Sequence, residues 1–414
     1  MQRAAPFLLA VPYLIGIAVL KGLTVEIDTF HGSDAAIYQL PTIVQFREGL
    51  DFSDYPSAQT PLFHLVMAGW GKLVGFELWR LRLLEVAISY GAALALMRLL
   101  RRATPLGELP AFALSLAFAL SPYFFGPSFT LLTDNLAILL ALLGLERIHA
   151  YWRGGSLGAF AVACLCAGGA ALTRQSFLWV ALVAGAFLVL RDWRSPARLG
   201  AGVALLALAL APLAALAIEW NGLVPPSADP RSCGLCTDKP GVGRDALTLR
   251  TIGFTVAVLG GYALVLLGPG LWPRARAWVW GAAIGVGLLL ISPLKYRPPG
   301  VNPGDAGYLW RISKHFPTVL GSSLLFWAAV PLGAYAAVTL VRRAGPTALG
   351  SVYLAAFLVV ALPVALVYQK YFDPFALLAV ALLALPSDFR EARDYAGVAL
   401  VCVGSVAYAL SFAG

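Results

Sequence analysis

The residues that could do chemistry gather early, between Glu26 and Lys72. This stretch up to Thr60 carries six acids, among them Glu26, Asp28 and Asp34, against one base, Arg47. A carboxylate held beside a hydroxyl can take its proton as the oxygen attacks, which is general-base chemistry. Asp34 precedes Tyr38 by four residues, with Pro41 and Gln45 following, so a short helix would bring all four near one another. His31 lies just upstream. Tyr55 and Gln59 then lead into Thr60-Pro61-Leu62-Phe63-His64-Leu65, an apolar segment (61–76) that also holds Trp70 and Lys72. Two readings stand side by side: a solvated connection, or a pocket shaped by a short helix at the membrane surface.

Further polar residues interrupt apolar sequence later on. Asp134, in Thr133-Asp134-Asn135, opens an apolar run, as either a first-turn acid favoured by the helix dipole or a functional carboxylate. Arg174-Gln175 sits between two apolar runs, where a snorkelling side chain and a ligand-binding one are both admissible. Lys295, Arg297, Arg311 and Lys314 make a later loop basic, and Lys370 precedes Tyr371. Basic residues placed between apolar spans suit a lipid-borne phosphate. Cys233 and Cys236 are compatible with a disulfide or a reduced pair, and two cysteines without further ligands argue against zinc. No phosphate-binding loop, nucleophile elbow, zinc-protease motif or dinucleotide fingerprint occurs, so no cofactor and no metal site is expected.

What must position these residues is a membrane-embedded framework. The 414 residues are 60% hydrophobic and only 12% charged, against roughly 25% charged in a soluble domain. Thirteen apolar runs predict an all-α polytopic membrane protein with spans near 6–23, 79–99, 109–123, 129–147, 155–173, 176–190, 199–218, 251–270, 277–293, 316–341, 347–368, 373–386 and 396–412. Residues 1–414 read as a single transmembrane domain without a cleavable leader. The segment 61–76 is too short to cross and reads as interfacial. With the N-terminus inside, fifteen arginines and six acids fall on the cytoplasmic side, so the whole net charge of +9 lies there, as the positive-inside rule requires. The charge reports orientation and does not imply nucleic acid. The polar loops 24–78, 219–250 and 294–315 then face outward. Arginine outnumbers lysine 24 to 6, which suits a GC-rich bacterial genome and hence a bacterial plasma membrane.

An acid in a long first outer loop, an aromatic four residues on, and a Pro-Leu-containing segment opening a short helix resemble the GT-C glycosyltransferases; here these are Asp34, Tyr38 and Thr60 to Leu65. Further matches look like one branch, the dolichyl-phosphate-glucose-dependent α-1,2-glucosyltransferases. Tyr123-Phe124-Phe125 with Leu132-Thr133-Asp134 is similar to the branch's aromatic stretch ending in Y-T-D or Y-T-E. Arg174-Gln175-Ser176-Phe177-Leu178-Trp179 is similar to R-Q-T-N-x-x-W, and Gln369-Lys370-Tyr371-Phe372-Asp373-Pro374 to P-R-Y-F-x-x-P. The chain departs where the family's D-E pair reads Asp34-Ala35, its asparagine reads Phe177 and its late arginine reads Lys370.

The resemblance implies a GT-C fold of about 13 transmembrane helices with a structured first outer loop. It implies an inverting hexosyltransferase, with glucose as the branch's sugar. The donor would be a polyprenyl-phosphate sugar such as a dolichyl-phosphate hexose, and the acceptor a hydroxyl of a lipid-linked or cell-envelope glycan, with membrane lipid around both. Asp34 would be the base, with Asp28 and Glu26, a few residues upstream on the same loop, as its rivals. Arg174 and Lys370, with Lys295 and Arg297 behind them, would meet the donor phosphate. His31, Tyr38, Tyr55, Gln59, Asp134, Gln175 and Tyr371 would meet sugar or acceptor. A transporter or flippase of lipid-linked sugars would use a similar polar cavity without a base, but transporters usually carry internal repeats, and none is visible here.

Overall fold

The computed structural model describes residues 4–24, 34–227, 249–271, 275–295, 307–362 and 367–411. His31, Arg297, Glu26, Asp28, Cys233 and Cys236 lie outside them. The described chain is almost wholly helical and divides into two units: 1–103 with 119–233 and 406–414, and 104–118 with 234–405.

The expected all-α membrane class holds. Among the described residues, five helices are long and apolar enough to cross a membrane: Leu78–Ala103, Gln175–Asp192, Pro196–Glu219, Leu249–Leu267 and Leu324–Ala344. Glu108–Leu120 and Pro122–Phe129 add a sixth if they form one span bent by 65°. The expected thirteen therefore do not all appear as full-length crossings. Several apolar runs form helices shorter than the roughly 20 residues a hydrocarbon core needs. Leu157–Thr173 has 17 residues and Leu349–Ala361 has 13. Asp373–Leu383 has 11, every one of them buried in protein.

The first unit contains α1 (Ala5–Val19), α2 (Leu40–Glu48), α3 (Leu62–Val74), α4 (Leu78–Ala103), α5 (Asp134–Gly154), α6 (Leu157–Thr173), α7 (Trp179–Asp192) and α8 (Pro196–Glu219). The α5 helix packs against α4 and α6, and α6 against α8. At that last contact a Cβ on Gly168 would come within 2.3 Å of the Ala209 carbonyl, so only glycine permits the approach. The polar loop of residues 34–61 is packed, with a core of its own. Ile43 and Phe46 of α2, Tyr55, Phe63 and Met67 of α3, Leu81 of α4 and Trp220 form one buried cluster. Burial at about 25 cal/mol per Å² holds such a loop in one arrangement.

In the second unit, α9 (Leu249–Leu267), α10 (Ala275–Ile291) and α11 (Leu324–Ala344) pack through glycines. A Cβ on Gly333 would overlap the Val256 carbonyl, and one on Gly285 would overlap Pro331. Thr318–Val319 pairs antiparallel with Ser322–Ser323. Leu320 (φ 47°) and Gly321 (φ 81°) form the turn, whose positive φ values match the twist of a two-residue hairpin. Also in this unit, α12 (Asp373–Leu383) follows a 3₁₀ turn, Gln369–Tyr371.

Candidate functional site

Asp34 stands at the head of a π turn, Ala35–Gln39, whose mark is the Leu40 N–H bonding back to the Ala35 carbonyl. The spacing alone predicts an ordinary short helix here. Pro41, just past the turn, has no N–H for the Ile37 carbonyl and so breaks the α ladder, and the side chain at the end of the turn is held from outside the segment. Gln39 is buried, and its Oε1 accepts from Ser57 Oγ at 3.2 Å and from His64 Nε2 at 2.6 Å. Burial pushes the His64 imidazole down to about 3, so the ring is neutral. With Oε1 as acceptor, Nε2 carries the ring proton. Tyr38 and Asp34 are half-buried at this turn.

The segment after α2 forms a ledge beside these residues. Tyr55 Oη donates to the Gln59 carbonyl at 2.8 Å, and burial pushes the phenol up, so it keeps its proton. Thr60 Oγ1 donates to the Ala171 carbonyl of α6 at 2.8 Å. Gln175 Nε2 donates to the carbonyls of Ala58 at 2.9 Å and Leu223 at 2.6 Å. Asp54 accepts from the Ser227 N–H at 2.8 Å. The loop is thus stitched to the end of α6 and to the segment after α8.

The N-terminal end of α5 meets the same region. Arg174, 11% exposed, donates from Nη1 to Asp134 at 2.7 Å and to Thr133 Oγ1 at 3.3 Å. The sequence suggests separate duties for Asp134 and Arg174, one on sugar and one on phosphate. The structure makes them a pair, so neither can be altered without touching the other. Asn135 Nδ2 donates to Ser89 Oγ at 2.7 Å and to Ser128 Oγ at 3.2 Å, tying α5 to α4.

Two charged residues of this neighbourhood escape sequence reasoning. Arg82 and Glu85 lie within α4 and are 6% and 0% exposed. Arg82 donates to the Leu23 carbonyl at 2.9 Å. Glu85 lies one turn before Ser89, the residue that Asn135 beside Asp134 bonds. Among the described residues, neither Glu85 oxygen has a hydrogen-bond partner, and nor do Asn135 Oδ1 and Ser121 Oγ. A signal exists in the sequence: ionisable residues inside an apolar run are costly and usually mark function.

In the second unit, Lys370 Nζ lies over the Tyr368 ring at 5.8 Å and the Tyr371 ring at 5.5 Å, a placement favourable to a cation. The turn carrying it is fastened on either side. Gln369 Oε1 accepts from the Leu309 N–H at 2.9 Å, and its Nε2 donates to Asp373 at 3.0 Å. Asp373 also accepts from Tyr262 Oη at 2.6 Å. Lys295 is exposed beside Leu294, whose N–H bonds Ser322 Oγ at 2.9 Å. No group of three or more metal-ligating residues occurs among the described residues.

The fold and this lining define an integral membrane protein with carboxylate, arginine and amide groups gathered at one end of α5. No family model matches the chain, and no curated protein does. Solved structures similar to it include two of one protein. ArnT from Cupriavidus metallidurans bound to undecaprenyl phosphate shares 17% identity over 96% of this chain and 78% of that one, with a TM-score of 0.44. The apo state of ArnT from the same organism shares 14% over 93% and 78%, with a TM-score of 0.42.

Proposed function

We propose that the chain is a GT-C-type glycosyltransferase that moves a hexose from a polyprenyl-phosphate donor to a glycan hydroxyl, on the outer face of a bacterial plasma membrane. The observation that carries this reading is the stitching of the loop. The bonds from Thr60 and Gln175 hold residues 58–60, the far end of the loop that begins with Asp34 and Tyr38, against the end of α6 and the turn after it, beside the Arg174–Asp134 pair. A solvated connection between spans would need none of this.

The chemistry asks little of the leaving group, because a polyprenyl phosphate departs readily. The acceptor oxygen forms its bond to the anomeric carbon as the carbon–oxygen bond to the phosphate breaks. The hydroxyl proton passes to the Asp34 carboxylate. Negative charge then grows on the departing phosphate, and an arginine donor fixed by a carboxylate is pre-oriented to meet it. Arg174 has that arrangement. Lys370 is proposed for phosphate charge as well, with Lys295 and Arg297 as further cations. Tyr38, Tyr55, Gln59, Asp134, Gln175, His31 and Tyr371 are proposed for sugar or acceptor hydroxyls. Glucose is the sugar suggested by the resemblance of Arg174 to Trp179 and Gln369 to Pro374.

The test is product analysis. Purified protein in lipid nanodiscs is incubated with a panel of undecaprenyl- and dolichyl-phosphate hexoses and a membrane glycolipid extract. Mass spectrometry should show an acceptor one hexose heavier together with free polyprenyl phosphate. Donor that crosses a bilayer with its sugar still attached, and no new glycan, would replace the transferase with a carrier.

A further inference from the structure

An α-helix advances 100° per residue, so a π turn, which holds one residue more than an α turn, rotates everything before it by about that amount relative to the helix after it. Asp34 immediately precedes such a turn, and α2 immediately succeeds it. The direction of the Asp34 carboxylate therefore depends on whether residues 35–39 hold the wide turn or relax to ordinary α geometry. Such a turn persists only where the surroundings over-determine it.

The surroundings here are specific. Pro41 interrupts the α ladder here, because it has no N–H to give the Ile37 carbonyl and its ring crowds that group; this permits a wide turn without fixing its geometry. What holds the turn in one arrangement is the bonding of Gln39 and Thr42. Thr42 Oγ1 donates to the Tyr38 carbonyl at 2.7 Å and accepts the Ser57 N–H at 3.2 Å. Gln39 Oε1 takes two donors at once, Ser57 Oγ from the ledge and His64 Nε2 from α3. All of Gln39, Thr42, Ser57 and His64 are buried. His64 is itself fixed by rings packed edge-on or tilted around it, Phe46 at 6.3 Å, Tyr55 at 6.1 Å and Phe63 at 5.5 Å between centroids. In a buried setting, losing one partner leaves a polar group unsatisfied, so the clamp resists slipping to the α register.

We infer that His64, through the Gln39 side chain it holds, is a positioning residue that maintains the π turn and thereby aims Asp34. It touches no substrate. This inference rests on the reading of Asp34 as the base. It gives His64, an otherwise inert buried ring, a task that its neutral form performs across the working pH range.

The experiment uses the full chain in nanodiscs with the polyprenyl-phosphate hexose that yields product in the panel assay. His64→Phe keeps an aromatic ring in the cluster and removes the donor. Gln39→Met removes the acceptor at similar volume. His64→Gln restores an N–H near the position of Nε2. Misplacing a catalytic group by about 1 Å can cost on the order of a hundredfold. His64→Phe and Gln39→Met are therefore each expected to lower kcat by about tenfold to a hundredfold, with the donor KM within a factor of about two and undecaprenyl phosphate binding unchanged. His64→Gln should recover most of the rate. In an Asp34→Asn background, His64→Phe should cost nothing more, because a positioning residue has nothing left to aim. Wild-type kcat in a folded His64→Phe protein, or an equal factor in both backgrounds, overturns the inference. If His64→Phe does not accumulate, Gln39→Met decides by the same criteria. Full activity of Asp34→Asn by itself would instead remove the base assignment.

Discussion

The helix Asp134–Gly154 carries an acid near each end, and the two are treated very differently. At the N-terminal end Asp134 faces one arginine, Arg174, and is 23% exposed. Some 12 residues and about 18 Å further along, Glu146 is 3% exposed and faces three: Arg98, whose Nε and Nη2 reach it at 2.9 and 2.7 Å, Arg102, and Arg147 at 3.3 Å. Around Glu146 the positive charges outnumber the acid, and both carboxylate oxygens are bonded. Around Asp134 a second carboxyl, Glu85, is buried nearby with neither oxygen bonded among the described residues, and Asn135 Oδ1 is likewise unpaired. A helix end that only needs to be held is saturated with partners. The end proposed to meet substrate keeps polar atoms in reserve, at a cost that buried unpaired groups make appreciable.

The contrast can be broken by substitution. The largest effect is expected at Asp34. Asp34→Asn keeps size and hydrogen bonding but accepts no proton, so the initial transfer rate should fall about 10²–10⁴-fold. Asp54→Asn, on the same loop but bonded to Ser227, should stay close to wild type. Arg174→Ala comes next. A charged hydrogen bond is worth roughly 1.5–3 kcal/mol, so kcat/KM for the donor should drop on the order of tenfold to a hundredfold. Unchanged donor kinetics there would move the phosphate site elsewhere and erase the difference between the two ends.

At the Glu146 end the readout changes from rate to stability. Arg98 and Arg102 are half exposed, at 50% and 57%, so water screens much of the attraction. Glu146→Gln should therefore cost about 1–2 kcal/mol, seen as a lower melting temperature, with the transfer rate of the folded protein unaltered. Loss of rate without loss of stability would reverse the roles assigned to the ends. The smallest effect is expected at Lys370. The similar family carries arginine there, so Lys370→Arg should change the donor KM by no more than about threefold, while Lys370→Ala, which abolishes the charge, should raise it further.

Much of this is legible in the sequence, and the remainder is hidden for physical reasons. The helical class follows from apolar runs, but run length does not reveal which helices end after 11 to 17 residues. Asp34 and its spacing to Tyr38 can be read directly. Pro41 signals a break in the helix between them, but the clamp on the resulting π turn cannot be read, since His64 lies 25 residues from Gln39. Asp134 and Arg174 each stand out as polar residues in apolar surroundings, yet their pairing spans 40 residues that only the packing of α5 and α6 brings together. Glu85 and Arg82 are in plain view but easily overlooked, because an apolar average over 79–99 conceals two inward-facing charges.

One carboxylate acting in one displacement is the centre of the proposed mechanism, although Asp134 and Glu85 are further carboxyls of the same unit. Stereochemistry at the transferred sugar decides this most directly. A single attack inverts the anomeric carbon, whereas retention needs a covalent sugar–enzyme intermediate and a second carboxylate. Proton NMR of donor and product, read from the anomeric coupling constants, should show inverted configuration in the first-formed glycan. Retained configuration would contradict the role given to Asp34 and make Asp134 or Glu85 a nucleophile.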